Sequence, residues 1–136
     1  MNYLLDTNIC IALINGTSEK VRARFAQAIR SKATLTTSTI VVHQLWHRSA
    51  KNELATRYAR ALTTFLSSYI AVLDYTEQDA QAAGEVRAEL ERQGQRIGEY
   101  DTLIAGQAFS RNLILVTANT QEFERVKGLV VEDWTI

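Results

Sequence analysis

Along the chain, short unbroken apolar runs alternate with longer stretches in which apolar residues recur every third or fourth position. Tyr3, Leu4 and Leu5 form the first run. A strand covered on both faces reads as such a run rather than as an alternation. Thr34, Leu35, Thr36 and Thr37 make a β-branched second strand, suited to a pleated, half-buried surface. Positions 70–75 give a third, 112–117 the clearest strand of all, and 129–131 the last.

The stretches between them carry the helical period. Positions 9–14 read as a short helix stopped by Asn15-Gly16, with Thr7 or Asn8 as its cap. Val21, Phe25, Ala28 and Ile29 share a face of the next helix, behind a cap at Thr17 or Ser18. Ser38 stands where an N-cap belongs, before a helix over 40–49 with Val41, Val42, Leu45 and Trp46 as its apolar stripe. Gln44 and His47 share another face of it with Ile40. Leu54, Tyr58, Leu62, Phe65 and Tyr69 stripe a helix over 54–69, and Ala80, Ala83, Val86 and Leu90 one that ends at Gln93-Gly94. Positions 97–101 read as a loop, 102–109 as an apolar helix and 123–126 as a short one.

Strands alternating with helices predict an α/β fold, a parallel sheet with helices on both faces. All carboxyl ends of such a sheet face one way, and open α/β sheets bind their ligands there. Asp6 ends the first strand, Asn119 follows the fourth, and Asp101 precedes the fourth by one helix. The three are expected to converge.

Composition narrows what they could do. The 136 residues, 46% hydrophobic and 22% charged, are expected to make one domain over 1–136. Fifteen Lys and Arg balance fifteen Asp and Glu, so bulk charge does not drive nucleic-acid binding, and any such contact needs a local patch. The single cysteine, Cys10, excludes an intramolecular disulfide and reads as a small core residue. No apolar run reaches the length of a membrane span and no signal peptide is evident, so the expectation is a cytoplasmic protein with no membrane contact.

Two carboxylates about 4 Å apart cost about 4 kcal/mol at an effective dielectric near 20. A cluster survives at neutral pH by taking up protons or by holding a cation. Oxygen ligands without His or Cys select Mg²⁺ or Mn²⁺. Such an ion keeps waters that can bind a phosphate and form hydroxide at lower cost, which leads to phosphodiester hydrolysis.

Five segments carry a resemblance: Tyr3-Leu4-Leu5-Asp6-Thr7-Asn8, the run from Ser38 through Gln44 to Leu45, Ile97-Gly98-Glu99-Tyr100-Asp101, the run from Val116 through Asn119 to Phe123, and Val131-Glu132-Asp133-Trp134. In this order they resemble the PIN-domain ribonucleases, specifically the VapC toxins of VapBC toxin–antitoxin pairs. The resemblance implies a PIN-like three-layer α/β domain, its central, mostly parallel sheet having four to five strands. It implies a Mg²⁺-dependent endoribonuclease acting on structured RNA such as tRNA, with Mn²⁺ as the other candidate ion. Asp6, Asp101 and Asn119 would hold metal, and with Gln44 they make up the catalytic set.

Gln44 departs from the family, which carries Glu there. Gln keeps the shape and one carbonyl oxygen but loses the charge and cannot take up a proton. It is either a natural change that weakens the nuclease or a Glu→Gln replacement that makes a toxin tolerable to its host. The alternative function is an inactive PIN module that binds RNA or antitoxin without hydrolysis, and a DNA-directed nuclease is a third. Implied partners are a VapB-type antitoxin, the RNA and a second copy in a homodimer. An arginine from the antitoxin would meet Asp6 and Asp101, with apolar anchors around Ile14, Phe25 and Trp46. Glu99 and Glu122 read as solvated loop charges, His43 and His47 as packing or RNA contacts, and Arg48, Lys51, Arg96 and Arg111 as candidate phosphate contacts.

Overall fold

The computed structural model describes residues 1–136. Its elements run β1 (Asn2–Leu5), α1 (Thr7–Asn15), α2 (Glu19–Arg30), β2 (Thr34–Ser38), α3 (Thr39–Lys51), α4 (Ala55–Leu66), β3 (Ala71–Leu73), α5 (Glu77–Arg92), α6 (Glu99–Ser110), β4 (Ile114–Val116), α7 (Thr120–Phe123) and β5 (Val131–Glu132). No helix is long and apolar enough to cross a membrane.

The five strands form one sheet in the order β3-β2-β1-β4-β5, and every pairing is parallel. β1 is central, with Leu4 and Leu5 wholly buried beside Leu115 and Val116 of β4. Burying each such side chain contributes roughly 1.5–3 kcal/mol. Thr36 and Thr37 of β2 are buried too, and they solve their polar problem locally. Thr36 Oγ1 donates to the Tyr3 carbonyl at 2.7 Å and Thr37 Oγ1 to the Leu5 carbonyl at 2.8 Å. Cys10 is fully buried, and burial pushes its thiol up to about 12, which makes it inert.

Chain order around β1 reverses once. β2 and β3 lie on one side, β4 and β5 on the other. Right-handed crossovers then put α1 to α4 on one face and the α5–α6 pair on the opposite face. α5 and α6 touch backbone to backbone: a Cβ on Gly106 would fall 2.5 Å from the Ala83 Cα. A buried ion pair fastens the same two helices. Arg111 Nη2 donates to Asp79 Oδ2 at 2.8 Å and Arg111 Nε to Oδ1 at 3.2 Å. Ser110, Gln107 and the Thr76 backbone also donate to that carboxylate. Beyond β5 the tail turns back to the central strand. Trp134 is fully buried with its ring edge-on to Tyr3, centroids 5.2 Å apart.

Several boundaries differ from the sequence reading, each for a physical reason. Asp101 lies in the first turn of α6, because that helix begins at Glu99 rather than at Thr102. The short helix is 120–123, not 123–126, since Phe123 is its buried anchor rather than its start. α1 is capped by Asp6 itself, whose side chain accepts from the Thr7 N–H, not by Thr7 or Asn8. Trp46 does not join the α3 stripe and is 42% exposed. Leu45 alone fills the buried line there with Val41 and Ser49. Arg111, committed to Asp79, is not free for phosphate.

Candidate active site

The reversal between β1 and β4 opens a crevice at the carboxyl edge, where open α/β sheets place their sites. β1 delivers Asp6 there and β4 delivers Thr117. Asp6 is nearly buried at 4% exposure, yet both its oxygens are held. The Thr7 N–H donates to Oδ1 at 2.8 Å, and Thr117 Oγ1 donates to Oδ2 at 2.8 Å. Asn8 Nδ2 reaches Oδ2 and Thr117 Oγ1, both at 3.4 Å. The same Thr117 oxygen accepts the Asn119 N–H at 3.0 Å. One hydroxyl therefore ties the ends of β1 and β4 together.

Two short chains of contacts bring in the remaining candidates. Thr7 Oγ1 donates to Gln44 Oε1, which sets the α3 amide beside the Asp6 turn. Asn119 Nδ2 donates to Glu122 Oε2 at 3.0 Å, leaving the Asn119 carbonyl oxygen as its free ligand atom. Glu122 in turn lies beside Asp101, close enough to act on its carboxyl. Asp6, Gln44, Asp101 and Asn119 thus meet at one edge, brought there by four different elements.

Burial, the adjacent Glu122 carboxyl and the charge of Asp6 together push the Asp101 carboxyl up to about 7. Burial also raises Asp6, against the hydrogen bonds from Thr117 and Thr7 that lower it. No Lys or Arg forms an ion pair with Asp6, Asp101 or Glu122. The cluster is therefore short of positive charge, and its donors are all oxygen. No three acidic, His or Cys side chains close into a tight ligand cage. An open set suits Mg²⁺, which binds through one or two carboxylates and keeps several waters. The residues fit such an ion.

Glu122 corrects the sequence reading: it is part of the cluster, not a solvated loop charge. Only its spacing from Asn119, three residues on along a helix, could have pointed to it. Thr117 was missed as well, because a threonine that ends a strand looks like β-propensity and nothing more. Glu99 stays exposed on the first turn of α6, outside the cluster. His43 and His47 are exposed and bind no acid of the site, while His43 lies against Tyr100.

A parallel α/β sheet with an acidic, all-oxygen crevice at its switch point defines the class: an α/β domain whose acidic edge fits a hard cation. A PIN domain model matches residues 3–129. A tRNA(fMet)-specific endonuclease VapC from Shigella flexneri is 42% identical over 135 residues, 99% of each chain. The Ribonuclease VapC2 of Haemophilus influenzae is 39% identical over 98% of each. VapBC2 from Rickettsia felis, solved bound to a DNA fragment from its promoter, superposes with a TM-score of 0.92 at 34% identity over 98% of this chain and 99% of that one. DNA-bound VapBC from Salmonella typhimurium gives a TM-score of 0.89 at 40% identity over 98% of both chains. This chain belongs to the PIN-domain family, as a member of its VapC ribonucleases.

Proposed function

We propose that this chain is the toxin of a VapBC-type pair, a single domain over 1–136 that cuts structured RNA, such as tRNA, with the help of Mg²⁺. PIN-domain nucleases are generally dependent on a divalent metal. The observation that carries the reading is Asp101, driven up to about 7 by burial and by two neighbouring acids, Glu122 and Asp6, with no ion-paired cation of the chain to offset them. Asp6, Asp101 and the carbonyl of Asn119 would hold the ion, with Glu122 beside them. When bound, Mg²⁺ supplies charge neutralisation at the phosphate and an activated water.

The chain's own residues do the rest. Thr7 and Thr117 fix the Asp6 oxygens so that they need no reorganisation. Glu122 holds Asn119 by its amide N–H and leaves the Asn119 side-chain oxygen free to accept. Asp101, its carboxyl raised to about 7, can accept a proton from an attacking water. Gln44 orients the edge through Thr7 but cannot accept a proton. That single residue favours the second reading, a weakened or inactive module that binds RNA or antitoxin without cutting.

The partner is a VapB-type antitoxin, supported by the VapBC complexes that this fold resembles. An arginine bridging Asp6 and Asp101 would take the cation's place. The half-buried Ile14 and Phe25 and the exposed Trp46 offer apolar anchors nearby. A homodimer and a cytoplasmic location complete the proposal. The test is RNA cleavage in Mg²⁺ by the chain and by Gln44→Glu. Restoring the carboxylate should raise the rate by about 10²–10⁴, and Asp6→Ala in that background should abolish it. Equal cleavage with Gln or Glu at position 44 would remove that residue from the chemistry.

A further inference from the structure

One contact spans the crevice mouth without taking part in the acid cluster. His43 Nε2 on α3 lies 3.3 Å from the Tyr100 hydroxyl on α6, the ring centroids 5.6 Å apart and tilted by 36°. Each immediately precedes a residue of the candidate site, Gln44 and Asp101. The pair therefore lies one residue from the site on each of the two helices. Both rings remain open to solvent, Tyr100 at 47% exposure. Trp46, one turn further along α3, presents a third exposed ring at 42% on the flank of His43. Large aromatic rings left exposed beside an acidic crevice call for a ligand with a π-face.

The surrounding charge says which ligand. Arg48 and Lys51 follow on the last turn of α3, and neither is paired with an acid of the chain. His43, His47 and Lys51 recur every fourth residue, so they form one line along the helix, which rises about 1.5 Å per residue. Aromatic faces beside unpaired cations suit an unstacked nucleobase and its phosphates. An acidic partner would leave the rings unused, and an aliphatic one would leave the cations unused.

Resting on the site proposed above, we infer that Tyr100, oriented by His43, is a specificity-determining platform on which an unpaired base of the RNA stacks next to the scissile phosphate. Tyr100 supplies the face. His43 is a positioning residue, holding the ring through its hydroxyl. The platform selects single-stranded or loop nucleotides, because a paired base offers no free face at the crevice mouth.

The probe is an RNA stem–loop carrying 2-aminopurine in its loop, whose fluorescence is quenched on stacking. The unaltered chain should bind it with quenching. Tyr100→Ala should lose the quenching and weaken binding about fivefold or more. Tyr100→Phe and His43→Ala, which keep the ring but remove the contact that orients it, should each reduce the quenching by less than Tyr100→Ala does. Absent quenching with the unaltered chain, unchanged quenching in Tyr100→Ala, or equal loss in Tyr100→Phe and Tyr100→Ala would each overturn the platform. If the pair merely braced α3 against α6, the variants would shift the melting curve and leave quenching untouched, which also overturns it. Cleavage by Gln44→Glu with and without Asp6→Ala is scored separately. Persistent cleavage without Asp6 refutes the metal site and leaves the platform standing.

Discussion

Removing one hydroxyl should uncouple the two strands that build the crevice. Thr117→Val preserves shape and deletes the donor that reaches Asp6 Oδ2 at 2.8 Å. That oxygen then keeps only the longer Asn8 contact at 3.4 Å, and the Asn119 N–H loses its acceptor. A hydrogen bond to a charged group is worth about 1.5–3 kcal/mol and an ordinary one about 1. Asn119 is half-buried, so water replaces part of the second loss. The expected destabilisation is about 2–3 kcal/mol at around pH 8 with no divalent cation. Burial raises the Asp6 carboxyl, so it takes up a proton at a higher pH than an ordinary carboxyl does, and the loss should be smaller at around pH 5. Urea unfolding at both pH values measures this directly. Thr117→Ser is the control: it keeps the donor and should cost about 1 kcal/mol, for the lost methyl, at either pH. A Thr117→Val chain within about 0.5 kcal/mol of the parent at the higher pH would refute the argument.

Asp101 gives a pH signature. Its carboxyl is raised to about 7, so the stability it contributes is complete below its ordinary value of 3.8 and lost as pH rises through about 7. Melting temperatures in chelator should fall across that window, and Mg²⁺ should flatten the fall; superimposable profiles would contradict it. Asp79 has the opposite sign. Burial raises its carboxyl, but Arg111 and the hydrogen bonds from Thr76 and Ser110 outweigh that and hold it below the usual carboxylate range. Its contribution is present above 3.8 and lost as pH falls further. Asp79→Ala strands Arg111 and should cost about 3–5 kcal/mol, read by thermal or urea unfolding at neutral pH, while an acid titration should show a shallower decline than in the parent.

The alternation of buried runs with amphipathic stretches settled the α/β class and the parallel sheet, because strand and helix periods are local properties of the chain. Asp6 was legible for the same reason: the apolar run Tyr3, Leu4 and Leu5 must end somewhere, and a parallel strand ends at the ligand edge. The family resemblance added Asp101, Asn119 and the departure at Gln44. What the sequence did not hold was anything that depends on which strands become neighbours. The order β3-β2-β1-β4-β5 brings Thr117 to Asp6 across 111 positions, and no local pattern encodes a partner at that range. Glu122 changes from a loop charge to a member of the cluster only because the fold brings it beside Asp101 at the start of α6. Arg111 changes from a candidate phosphate contact to a structural clamp because α5 supplies Asp79. Trp46 looked like core by its spacing and is exposed, since spacing gives a residue's place on the helix but not which arc of the helix finds a neighbour. Local periodicity therefore determined the elements and the edge, and long-range packing decided which charges are met, which are stranded and which faces stay open.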